Sequence, residues 1–178
     1  MFFAVIDDGR DRTMFLLMLR CGLRISEVAH LQLTDLYLHE QPPRLVAHGK
    51  GSKERTVYLS PQADRALNDY LVERSTTPRL PGAPSNYVFL SYLDDGLSTT
   101  AIHKRLMVYR QRAGVHLTAH RLRHSFANDL ITADTPVTSI QKLLGHRWLE
   151  TTQVYVAAND QQVRDDYYAA CSRLESWQ

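Results

Sequence analysis

Six consecutive apolar residues, Met14 to Leu19 (MFLLML), lie between Arg12 and Arg20. At helical length such a run presents apolar side chains on every face. Residues 9–22 therefore read as a helix enclosed on nearly all sides. A helix of that kind belongs at the centre of a domain. With 178 residues, 44% of them hydrophobic, the chain can supply one ordinary domain to surround it. Gly22 ends the helix, and Ile25, Val28, Ala29 and Leu31 continue as a second, short one, with Ser26 and Glu27 near its start.

The remaining punctuation predicts a mainly α chain with one small antiparallel hairpin, an α+β fold. RLVAH (44–48) and ERTVYL (54–59) are rich in β-formers and flank GKGS, whose glycines suit a tight reversal. Ser60-Pro61 opens a helix running to about Arg74. The proline-rich stretch 75–86 reads as a surface loop, and Tyr87 to Leu90 as a short extended piece. Ser98 caps a helix with Ile102, Leu106, Tyr109 and Ala113 inward, stopped by Gly114. Thr118 caps the next, with Ala119, Leu122, Phe126 and Leu130 buried and His120, Arg123, His124 and Ala127 on the opposite face. Thr135-Pro136 starts another, packing through Val137, Ile140, Leu143 and Leu144 and ended by Gly145. A last helix, about 160–176, carries an apolar stripe of Val163, Tyr167, Ala170, Leu174 and Trp177. Either its own domain or a neighbouring subunit must cover that stripe.

Several classes of protein are disfavoured. Two cysteines, Cys21 and Cys171, are too few for a disulfide framework or a Cys-rich zinc site, and suit a reducing cytosol. MFFAVIDDG has no basic n-region and does not read as a signal peptide. No uncharged run approaches the length of a membrane span. The net charge of +2 is modest, but it is unevenly spread. Between Gly96 and Asn128 there is no acidic residue, whereas Lys104, Arg105, Arg110, Arg112, Arg121 and Arg123 are all basic. Such a stretch marks either a surface facing a polyanion or a solvated face with counter-charges elsewhere.

The stretch from His120 to Tyr155 holds four side chains that can act on one phosphate: His120, Arg123, His146 and Tyr155. An arginine offers a fixed fork of donors matching two non-bridging phosphate oxygens. A histidine moves protons near neutral pH. Arg24, at a helix junction with no evident structural need for an arginine, and Lys50, at the hairpin tip, add positive charge. Together they form a cage for a phosphorus centre that gains negative charge in its transition state. No serine elbow or metal cluster supplies a nucleophile. Tyr155, nine residues beyond His146, is the candidate, its phenol activated by a base and the local potential.

CGLRISEVAHLQ, HGKGSKERTVYL, HRLRH, LLGH and TTQVYV, in this order, closely resemble the catalytic domain of tyrosine recombinases, the phage integrase family. The resemblance spans about residues 7 to 160. It implies a single catalytic domain over 1–178, without the N-terminal DNA-clamping domain most members carry, and with the helix at 160–176 able to dock on the next protomer. It implies site-specific recombination of double-stranded DNA through a 3′-phosphotyrosyl intermediate, in a tetrameric synapse, without metal, ATP or other cofactor, in a bacterial or phage-encoded cytoplasmic, nucleoid-associated protein. By the same resemblance Arg24 and Arg123 hold the scissile phosphate. Lys50 protonates the leaving 5′-oxygen, His120 transfers a proton, His146 contacts the phosphate and Tyr155 attacks. Glu27 supports the site.

Blander readings stand beside these. His116, His120 and His124 are spaced by four, but His116 precedes the cap Thr118 and no carboxylate or cysteine joins them, so a metal site is not expected. Lys53 and Arg55 compete with Lys50, and are expected at DNA backbone or solvent, together with Lys104, Arg105 and Arg121. Two other functions remain open: a silent DNA-binding module regulating a recombinase, and strand relaxation of the type IB topoisomerase kind.

Overall fold

A computed structural model of the chain describes residues 2–49, 53–77, 85–91, 95–145 and 160–175. The helix predicted from MFLLML is α1 (Gly9–Arg20), capped by the Asp8 side chain. Met14, Phe15, Leu17 and Met18 are fully buried. The chain reverses at Gly22, whose φ of +66° is left-handed, and enters α2 (Ile25–Ala29). A short 3-10 turn leads to β1 (Leu36–Tyr37), which pairs antiparallel with β2 (Arg44–Gly49), itself paired with β3 (Lys53–Tyr58). The hairpin is therefore the larger part of a three-stranded sheet. β1, only two residues long, has no periodicity by which sequence could reveal it.

Helix α3 (Pro61–Thr76) starts on the Ser60 cap with proline at its first position. The buried guanidinium of Arg74 then binds the carbonyls of Ser85, Tyr87 and Val88. This anchors an extended segment alongside Leu31 to Leu33. Helices α4 (Thr99–Arg112) and α5 (Ala119–Thr132) follow, capped by Ser98 and Thr118. Helix α6 (Val137–Leu144) ends at Gly145, with φ of +61°, and α7 (Asp160–Glu175) closes the described chain.

Two apolar clusters result. The larger surrounds α1 and includes Leu23, Leu45, Leu67, Phe89, Ile102 and Leu122. The smaller joins Phe126 and Leu130 of α5 to Ile140 and Leu143 of α6 and to Val163, Tyr167 and Ala170 of α7. The stripe on α7 is thus covered by its own chain as far as Leu174; Trp177 lies outside the described residues. Polar contacts fasten the same helix: Ser139 donates to Asp166 at 2.5 Å, Tyr167 donates to the carbonyl of Arg20 at 2.8 Å, and Tyr168 to that of Leu59 at 3.1 Å. One expected core residue is misplaced. Val137 begins α6 on its outer side and is 61% exposed, whereas Ser139 and Ile140 of the same turn are the ones buried toward α7.

Candidate active site

The centre of the site is a buried carboxylate. Glu27 occupies the third position of α2, from which its Oε2 accepts the backbone N–H of Arg24 at 2.7 Å. A carboxylate here satisfies a free amide at the helix start and complements its dipole. Its Oε1 accepts from Nη1 of Arg24 at 2.8 Å, and its Oε2 from Nη2 of Arg55 at 2.9 Å. Arg123 Nη1 lies 4.0 Å from the same oxygen. Arg24 therefore does have a structural tie, contrary to the expectation that its junction needed no arginine. Its side chain nevertheless remains 40% exposed, against 1% for Glu27.

Arg123 is also differently placed from the sequence expectation. It follows Leu122 on α5 and is buried, whereas His120 and His124 are exposed, their rings nearly perpendicular and 6.4 Å apart. The guanidinium of Arg123 donates to the carbonyl of Gly22 and, at 2.5 Å, to that of Leu144. It thus ties the α1–α2 turn to the end of α6. Arg55, 12% exposed, reaches the same two places from β3: Nη2 donates to Gly22 O at 3.2 Å and Nη1 to Leu143 O at 2.5 Å. Helix-terminal carbonyls have no partner within their own helix, so cations at the end of α6 are favoured both by hydrogen bonding and by the dipole.

The electrostatics follow from this crowding. Burial and the neighbouring charges of Arg24 and Arg55 depress the Arg123 guanidinium to about 10, against the opposing pull of Glu27, so it remains a cation at neutral pH. Burial pushes the Glu27 carboxyl up, but the charge and hydrogen bond of Arg55 and the two hydrogen bonds from Arg24 outweigh it. The net result lies below the ordinary value. Three guanidiniums around one carboxylate leave two positive charges in excess. Such a cluster favours an incoming anion, the more so because its members are partly withdrawn from water.

The turn end of the hairpin carries a second polar node that its sequence did not reveal. His48 Nε2 is 2.8 Å from Asp35 and its Nδ1 is 3.3 Å from Glu54. The hydrogen bond that its ring donates to Asp35 raises the imidazole above its ordinary value, against a smaller effect of burial. Asp35 also caps the preceding 3-10 turn through the amide of Gln32.

Of the expected site, Arg24, Glu27 and Arg123 are brought together, with His120 one turn before Arg123. Lys50, His146 and Tyr155 lie outside the described residues. Among the expected DNA contacts, Lys104 is exposed. Arg121 is exposed and donates to the carbonyl of His116. Arg105 is turned inward, 2.6 Å from Asp11, a fully buried carboxylate that also accepts from Tyr109 at 3.0 Å. Arg55 is the larger departure: its guanidinium is engaged in the interior, not presented on the surface. The signal that could have distinguished it is the bare glycine at 145. A Cβ there would lie 2.7 Å from the Arg55 side chain. Among the described residues no group of three His, Cys, Asp or Glu could hold a metal ion, and no helix is long and apolar enough to cross a membrane.

The phage integrase family matches residues 3–162, and the chain belongs to that family. Within it, the chain is similar to the tyrosine recombinase XerC of Haemophilus influenzae (strain PittEE), 37% identical over 170 residues, which are 94% of this chain and 56% of that protein. Among solved structures, the XerA recombinase superposes with a TM-score of 0.74 at 26% identity, covering 94% of this chain and 60% of that one. The XerH site-specific recombinase, in a pre-cleavage complex with its difH substrate, gives 0.69 at 25% identity, covering 92% of this chain and 49% of that one. The chain thus spans roughly half the length of the relatives it matches.

Proposed function

We propose that this chain is the strand-transfer domain of a site-specific DNA recombinase. The observation that carries the reading is the meeting of Arg24 and Arg123, distant in sequence, at one buried carboxylate with positive charge in excess. A scissile phosphodiester would sit against the donors that Glu27 leaves free. Tyr155 attacks phosphorus, its phenolic proton passing to His120. The bond to the 5′-oxygen breaks, and Lys50 supplies the proton to that leaving oxygen. The 3′-phosphotyrosyl ester keeps the energy of the broken diester, so a 5′-hydroxyl can reverse the step without ATP or metal. His146 joins Arg24 and Arg123 in stabilising the charge that develops.

The partners would be double-stranded DNA and further recombinase protomers assembled upon it. That XerH is solved with a DNA substrate supports the first.

The test is covalent capture. Chelator-treated protein is incubated with a library of nicked suicide duplexes of randomised sequence, and SDS-resistant adducts are collected and sequenced. Adducts are expected with the native chain and none with Tyr155→Phe. Adducts of undiminished yield in that variant, or none from the native chain, would overturn the reading.

A further inference from the structure

Arg55 is the third guanidinium of the cluster and the one with no assigned part in strand transfer. Its Nη2 meets Glu27 and Gly22, its Nη1 meets Leu143, and its Nε lies 3.5 Å from Glu27. Its aliphatic stem runs past Gly145, which immediately precedes His146 in sequence. One side chain from β3 therefore links three segments: the α1–α2 turn, the carboxylate of α2 and the end of α6.

We infer that Arg55 is a positioning residue for strand transfer, holding Glu27 so that Arg123 stays on the Gly22 and Leu144 carbonyls instead of closing onto the carboxylate. This rests on the reading of the chain as a strand-transfer domain. The argument is one of competition for acceptors. Glu27 Oε1 accepts from Arg24, and Oε2 from the Arg24 amide and from Arg55. Arg123, at 4.0 Å, is left outside hydrogen-bonding distance. Without Arg55, the buried carboxylate loses its strongest charge partner and keeps only Arg24, so it draws in the nearest cation not already bonded to it. That cation is Arg123. A lysine at 55 would restore a charge but not the fork, so it could serve Glu27 without also spanning Gly22 and Leu143.

Arg55→Met and Arg55→Lys separate this role from a DNA contact. Both variants should retain random-sequence duplex at low salt as the native chain does, with an unchanged salt slope. Both should form the covalent adduct about 10–100-fold more slowly, the range found when groups that orient functional side chains are removed. In protein carrying 13C at the Glu side-chain carboxyls, the Glu27 titration should move to higher pH in Arg55→Met and stay near the native midpoint in Arg55→Lys. If Arg55→Met does not fold, Arg55→Lys carries the test, through its slowed capture with native duplex retention. Weakened duplex binding with a salt slope reduced by about one, capture falling only in proportion, would make Arg55 a phosphate contact. That result overturns the inference, as does a folded Arg55→Met with native capture rate and native Glu27 midpoint. Failure of the native chain to form adducts would sink the strand-transfer reading. The Glu27 titration would still decide whether Arg55 controls the carboxylate.

Discussion

Arg55 and Arg123 donate to the same acceptor, the carbonyl oxygen of Gly22. A carbonyl has two lone pairs, and both are used here to hold cations arriving from different sides. The backbone conformation that turns this oxygen toward them is left-handed, and a Cβ at the same place would lie 2.5 Å from the Phe126 ring. Gly22→Ala should therefore incur the left-handed penalty of about 1–2 kcal/mol together with an overpacking cost of about 1–3 kcal/mol. Gly114 has a similar φ but open space around it, so Gly114→Ala should show the first cost alone. Urea denaturation of the two variants side by side measures the difference; equal midpoints would mean that Phe126 moves aside freely.

Replacing the central charge should be more damaging than replacing any one partner. Glu27→Gln keeps the shape but leaves three guanidiniums without their common counter-ion. Breaking a buried ionic cluster in this way typically destabilises by about 3–5 kcal/mol. The effect has a pH signature. The folded-state pKa of Glu27 lies below its ordinary value near 4.5, so the carboxylate contributes fully above that value and its contribution disappears as pH falls through the lower, folded-state value. The stability gap between native and Glu27→Gln proteins should be level from neutrality to about pH 5 and narrow in stronger acid. Denaturation curves at several pH values follow it directly.

His48 should behave with the opposite sign. Its imidazole is raised by Asp35, so protonated His48 braces the turn end of the hairpin fully below about pH 6.5, and the brace is lost as pH rises through the higher folded-state value. Imidazole nitrogen NMR should place the His48 midpoint above the ordinary one, and Asp35→Asn should bring it down. A midpoint indifferent to Asp35 would remove this node from any account of how the Lys50 hairpin is held.

Neighbouring basic residues on α4 should part company. Lys104 is exposed, and Lys104→Ala should weaken duplex binding and lower its salt slope by about one. Arg105 is committed to Asp11. Arg105→Ala should leave the slope alone and destabilise the fold by about 1–2 kcal/mol, a charged hydrogen bond discounted for partial exposure. Fluorescence anisotropy across a salt series, paired with thermal melts, tests both. A matched loss of affinity in the two would mean that the Asp11 pair opens on DNA.

The sequence disclosed the helices well because their ends carry chemistry: Ser60-Pro61, Ser98 and Thr118 at the starts, and the left-handed Gly114 and Gly145 just past the ends. It also grouped Arg24, Glu27 and Arg123, through ordered motifs rather than through geometry, and the fold gathers these three side chains at one carboxylate. What it did not disclose was direction. Arg105 and Arg55 read as surface cations because an arginine is usually exposed. Only the fold brings Asp11 beneath one and Glu27 beneath the other. β1 was hidden for a related reason: two residues of strand are defined by their partner, not by their own pattern.

The two apolar clusters meet within one turn of α5. Leu122 belongs to the larger, Phe126 to the smaller, and Arg123 stands between them. One end of its guanidinium grips the turn after the central helix, the other the last carbonyl of α6. The side chain therefore works as a caliper laid across a seam. Any sliding of one lobe over the other opens or shuts its jaws before it disturbs either interior. A small packing lesion far from the phosphate, such as Ile140→Val, would thus register first as a misaimed guanidinium and only later as a lower melting point.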